Sequence, residues 1–277
     1  MTPHANLFLS EVILGIVFLS LTAYNISRTP RETGWWYIAI FCLFRITGSA
    51  LLLTITVKRS HADKSLIIPA IVFSGIAVSP LLAACLGFLN SCTQHLTTIY
   101  HPILRLLALT HLFVLAALIL NTVGGVLIPL HSTTSSSSPT PPSASAIASL
   151  NHAITYIRAS SLLFLTSWVL ILLSLAILSR HWRAFAWTAR AFYVAVLGGM
   201  PCLFVRILYA VLAAWDLGKG GVVVPGGGNR YGVLKGDVGV LAGMRVCMEF
   251  LVAGGWGVVG ALEWWWGGAE GEEWGGG

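Results

Sequence analysis

Seven apolar stretches, each long enough to cross a lipid bilayer as a helix, take up most of this 277-residue chain. They run from about Ala5 to Ile26, Trp35 to Val57, Leu66 to Phe88, Ile103 to Ile128, Thr155 to Leu178, Thr188 to Ala214 and Val238 to Trp264. A crossing needs about 20 apolar residues at ~1.5 Å rise per residue. In hydrocarbon the backbone must satisfy its own hydrogen bonds, so such stretches are helices. The expected fold is an all-α bundle of seven transmembrane helices over residues 1–266. Only 26 residues are charged, 9% of the chain, against roughly 25% in soluble domains. So little polar surface excludes a soluble enzyme, a disordered regulator and a coiled coil. The lipid bilayer is the expected partner.

The segments between the stretches are distinctive. His131 to Ser149 is rich in Ser, Thr and Pro, carries no charge and reads as a disordered spacer loop. Residues 218–237 form a Gly-rich loop, and residues 267–277 a disordered Gly/Glu tail. Pro69 and Pro80 should bend the third span. The first span lacks a basic leader and is longer than a signal-peptide core, so it is expected to be retained.

Basic residues are scattered in short loops, which gives no nucleic-acid surface despite a net charge of +6. Counting them does not orient the chain. The side holding the amino terminus (side A) has six, and the opposite side (side B) has five. The first span has no basic residue before it and Arg28 and Arg31 after it, so the amino terminus is expected outside and the carboxyl terminus in the cytoplasm. The Asn25-Ile26-Ser27 sequon would then be cytoplasmic and unused. Trp35, Trp36, Trp182, Trp187 and Trp264 to Trp266 lie at span ends on side B, and Trp215 on side A, as an aromatic belt would.

Five ionisable residues fall inside spans: Glu11, Arg45, Arg206, Arg245 and Glu249. A charge at mid-bilayer costs at least about 2.5–3.5 kcal/mol on insertion scales, so each must face protein or water. Counting from side A at ~1.5 Å per residue puts Glu11 ~9 Å deep, Arg245 ~10 Å, Arg206 ~12 Å, Glu249 ~16 Å and Arg45 ~18 Å. All five share one slab. Small residues accompany them: Gly48 and Ser49 follow Arg45, and Ala253 follows Glu249, while Tyr209 shares the face of Arg206. The expectation is one buried ionic cluster of Glu11, Arg45, Arg206, Arg245, Glu249 and Tyr209. Two Glu against three Arg leave one positive charge for a small anionic or amphipathic ligand. The competing reading is a scaffold whose ion pairs only fix helix packing. His111 and Asn121 read as hydrogen-bonded packing residues.

Known intramembrane chemistries do not fit. There is no Lys after Lys235 to hold retinal, no paired deep His for haem, and no Asp beside His95 and His101 for a hydrolytic zinc. The five cysteines are dispersed, with no ligand or disulfide spacing. No catalytic residue, metal or cofactor is expected, and the chain is not expected to be an enzyme.

Several motifs carry a family resemblance. Gly34-Trp35-Trp36 followed by Phe44-Arg45-Ile46-Thr47-Gly48 resembles the second span of an uncharacterised seven-helix membrane family of filamentous fungi, a domain of unknown function. Gly75 to Leu82, Pro201 to Leu208 and Met248-Glu249-Phe250 are similar to its third, sixth and last spans, and Glu11 matches an acidic position in its first. The resemblance implies a fungal integral membrane protein and brings no ligand with it.

Overall fold

The computed structural model describes residues 3–30, 32–57, 69–70, 72–73, 75–93, 100–134, 144–185, 187–219, 239 and 241–273. These residues are all-α, with no strand among them. The helices are α1 (Pro3–Arg28), α2 (Thr33–Val57), α3 (Val78–Thr93), α4 (Tyr100–Thr134), α5 (Ala144–Ser179), α6 (Trp187–Lys219) and α7 (Met248–Glu273). A short 3-10 turn, Trp182–Ala184, leads into α6, and a π-helical segment, Leu241–Cys247, leads into α7.

Among the described residues, six of these seven helices are long and apolar enough to cross a membrane, so the chain is multi-pass by length and composition. The exception corrects the expected third span. In place of a helix over residues 66–88, α3 covers the 16 residues Val78–Thr93, about 24 Å of rise against a ~30 Å hydrocarbon core. Helical residues recur at 69–70, 72–73 and 75–76, and Ala77 is a turn. Pro80 is the cause of the break. Its ring excludes the carbonyl of Ile76 and its nitrogen cannot donate to it. The Ser79 hydroxyl donates to that carbonyl at 2.9 Å instead, the kind of substitution that lets proline persist in membrane helices. Ser79→Ala is expected to cost about 1 kcal/mol, the worth of one intramolecular hydrogen bond, read as a lower melting temperature of the purified protein.

Helix α3 explains the packing of the rest. It contacts α2, α4, α5 and α6, and so is buried on nearly every side. Around it, α1 pairs with α2 and α7, α7 with α6, α6 with α5, and α5 with α4. Between α2 and α4 the ring is bridged mainly by α3. The α2–α3 crossing is close because two glycines meet there. A Cβ on Gly87 would fall 2.8 Å from the Gly34 backbone nitrogen, and one on Gly34 would fall 2.5 Å from the Phe88 ring.

That approach builds an aromatic core in the side-B half. Phe88 stacks on Phe192 at 5.0 Å between centroids, and Trp35 and Trp256 meet Phe88 edge-on at 5.0 and 5.6 Å. Trp35 therefore does not belong to the interfacial belt. It is 1% exposed, whereas its neighbour Trp36 is 54% exposed. Trp182, Trp187 and Trp215 are exposed as a belt requires. The side chains of Trp264 to Trp266 lie outside those described.

Some segments expected to be unstructured contain helix. Helix α4 continues to Thr134, α5 begins at Ala144 and α7 continues to Glu273. The Ala-rich start of α5 and the Ala and Glu of the tail are good helix formers. The rest of the Ser/Thr/Pro loop (135–143), nearly all of the Gly-rich loop (220–237) and residues 274–277 lie outside the described residues.

Candidate functional site: a buried Glu–Arg cluster

Four helices and the π-helical segment deliver the intramembrane charges to one place. Glu11 comes from α1, Arg45 from α2, Arg206 from α6, Arg245 from the π-helical segment and Glu249 from the first turn of α7. All five are between 0 and 3% exposed. Helix α1 can approach α2 closely because Gly15 faces Ile46, with only 2.7 Å available to a Cβ.

Arg45 is the bridge. Its Nη1 lies 3.6 Å from Glu11 Oε2, and its Nη2 lies 2.5 Å from Glu249 Oε2, an ion pair at angles off those of a hydrogen bond. Arg206 Nε donates to Glu249 Oε1. Glu249 thus holds two guanidinium groups, one on each carboxylate oxygen. Tyr209 places its ring 5.5 Å from Arg206 Cζ, in cation–π range. The Ser49 hydroxyl donates to Glu11 Oε2. Ser49 is the residue the sequence undervalued. It reads as a small packing residue one turn from Arg45, yet it supplies the carboxylate with its hydrogen bond.

Arg245 differs from the other two arginines. It lies within electrostatic reach of Arg45, Glu11, Glu249 and Arg206. Among the described residues it makes no ion pair within 4.0 Å, and its buried Nε and Nη1 have no hydrogen-bond partner. The Oε1 of Glu11 is likewise buried without one. The segment that carries Arg245 has π-helical bonding, which recurs at functional sites and rotates a side chain out of α-helical register.

Apolar layers enclose the cluster along the membrane normal. Toward side A lies a small core of Phe8, Leu52, Ala70 and Tyr209, with Met244 packed on it. Toward side B, Phe250 stacks on Phe18 at 5.3 Å and meets Phe41 at 6.2 Å. The cluster is a buried ionic layer, so its Coulomb interactions are strong and any uncompensated charge within it is costly.

The other singled-out polar residues lie elsewhere. His111 on α4 is bonded to the Tyr37 hydroxyl of α2 at 3.2 Å. The amide of Asn121 packs against Gly75. Asn25 of the sequon is 3% exposed and donates to the Gly257 carbonyl at 3.3 Å, so packing itself keeps a glycan off this residue. None of the five cysteines is in a disulfide, and the Cys92 thiol donates to the Ala189 carbonyl at 3.3 Å.

No curated protein and no solved structure matches the chain. The sequence model of one family does match, over residues 2–262, a span that holds every residue of the ionic cluster. The chain belongs to that family, which is described as Domain of unknown function (DUF7702).

Proposed function

We propose that this chain is a receptor-like or transporter-like membrane protein that takes a small anionic or amphipathic ligand at Glu11, Arg45, Arg206, Tyr209, Arg245 and Glu249. One observation carries the reading. Arg245 is 1% exposed, with two guanidinium nitrogens left unpartnered beside two Glu and two Arg that balance each other, so its charge is the excess one of the cluster. An anion at that guanidinium would neutralise the excess and fill the missing hydrogen bonds. The same proposal takes the stretch before α3 and α3 together as a seventh crossing, with the amino terminus outside and a fungal source. It assigns no catalytic step, because the cluster pairs strong cations with carboxylates and offers no nucleophile–base couple.

A second reading is favoured by the ion pairs themselves. Glu11, Arg45, Glu249 and Arg206 hold one another without a ligand, as they would in a scaffold whose charges only fix helix packing.

Melting of the purified full chain in rising inorganic phosphate or short-chain carboxylate separates the two. The ligand reading expects a saturable rise, worth about 2.7 kcal/mol at a hundredfold excess over Kd. The double change Arg206→Met with Glu249→Met removes one charge of each sign. It should leave the helices folded and abolish that rise. A rise that survives the double change, or no rise with any of these anions, leaves the scaffold reading in possession.

A further inference from the structure

Away from the ionic layer, the gap between α2 and α4 forms a cleft with α3 as its floor. Two adjoining cavities occupy it, about 330 Å³ toward side B and about 510 Å³ deeper in, and they share Tyr37, Ala108 and His111. The hydrogen bond between Tyr37 and His111 spans the cleft at their junction.

The two cavities differ in chemistry. The one toward side B is lined by Thr33 and Asn90 as well as by Tyr37 and His111. Neither the Thr33 hydroxyl nor the Asn90 amide makes a hydrogen bond with a described residue. The deeper one is lined by Ile40, Phe44, Pro80, Ala83, Leu112 and Leu115 among others, and is almost wholly apolar. Among the described residues, no Lys, Arg, Asp or Glu lines either cavity.

The gradient follows the membrane normal on all three helices. Thr33 opens α2, Asn90 is near the end of α3 and Leu104 is near the start of α4, so the polar end lies at the side-B surface. From Thr33 to Phe44, or from Asn90 to Pro80, the cleft runs ~15–17 Å, which is one leaflet of a ~30 Å hydrocarbon core. The rim is open sideways to lipid, with Ile40, Leu112 and Leu115 exposed by 39, 59 and 53%. The shape and volume are those of a small-molecule pocket with a few convergent polar groups.

We propose that this cleft binds a membrane lipid with an uncharged, hydroxyl-bearing head, seated between Thr33, Asn90 and the Tyr37–His111 pair, and an apolar body lying in the trough of α2, α3 and α4. The head is uncharged because the lining offers neutral donors and acceptors and no counter-ion, and an unpaired charge there would lose its hydration without compensation. The occupant comes from the bilayer because the rim opens to lipid and the cleft is one leaflet deep. The site shares no residue with the ionic cluster, so it stands or falls separately from that ligand.

The test uses the full chain in phosphatidylcholine nanodiscs with a diazirine-bearing long-chain alcohol as probe. The matched alkane and the matched fatty acid at alkaline pH are the controls. The alcohol should label peptides containing Phe44, Ala83 and Leu115, exceeding both controls by roughly fivefold to tenfold, the worth of one or two hydrogen bonds. Excess unlabelled alcohol should remove that labelling from the unaltered protein. Tyr37→Phe combined with Asn90→Leu should lower it to the alkane level. Equal labelling by the alkane, stronger labelling by the ionised acid, or labelling that neither competition nor the double change reduces would overturn the proposal.

Discussion

Replacing Glu249 by Met is expected to lower the stability of the folded protein by about 3–5 kcal/mol, the cost of stranding a buried charge partner. Glu249 is the shared counter-ion of Arg45 and Arg206, and all three side chains are almost fully buried. Without it, Arg45, Arg206 and Arg245 face Glu11 alone in a layer closed by apolar side chains on both faces. Denaturant or thermal unfolding of the purified chain reads the loss. The second change, Arg206→Met in the same protein, should then recover part of it, because it takes away one of the stranded cations. A double variant more stable than the single one is the signature of direct coupling between neighbours. If the losses simply add, the two residues do not depend on each other as the geometry requires.

Gly87→Leu is expected to cost about 3 kcal/mol, the upper end of what overpacking does to a close contact. The first carbon of the new side chain would fall 2.8 Å from the Gly34 nitrogen and 2.9 Å from its Cα. Backbone cannot rotate away as a side chain can, so α2 and α3 must separate. The edge contact between Trp35 and Phe88 depends on the same approach and should go with it. Gly198 supplies the control. A Cβ there meets nothing within 4 Å, so Gly198→Ala should be neutral or stabilising by up to about 1 kcal/mol, the helix-propensity difference. Melting temperatures of the two variants, measured side by side, decide whether the glycine crossing or glycine content in general matters.

The ionic cluster was legible in the sequence because charge inside an apolar span is expensive and depth follows from counting residues. Glu11, Arg45, Arg206, Arg245 and Glu249 could be assigned a common level before any packing was known. Which of them pair could not be read, since that depends on the rotation of each helix about its axis. The role of Glu249 as shared counter-ion and the lack of an ion-pair partner for Arg245 both follow from those rotations. Ser49 was seen as small when its hydroxyl is what matters. Trp35 misled for a related reason. A tryptophan at a span end belongs to the interface on average, and only the contact between Gly34 and Gly87, residues far apart in sequence, draws it inward. The shortening of α3 was half visible. Pro80 announced a break, but the exact turn at Ala77 depends on Ser79 capturing the Ile76 carbonyl. Tyr37 gives no signal in the sequence and His111 reads only as a hydrogen-bonded packing residue, because their joint meaning comes from the gap they span.

On the proposed ligand reading, Arg245 is a buried cation that takes an anion and is not a strut of the fold. The most direct measurement is the melting temperature of Arg245→Met beside the unaltered chain, with and without inorganic phosphate. Removing an unpaired buried charge should leave the protein at least as stable as before, since a Met fills similar space without the desolvation cost. The phosphate-dependent rise of the unaltered protein should be absent. A variant that is destabilised as severely as Glu249→Met, or that keeps the full phosphate response, would contradict it.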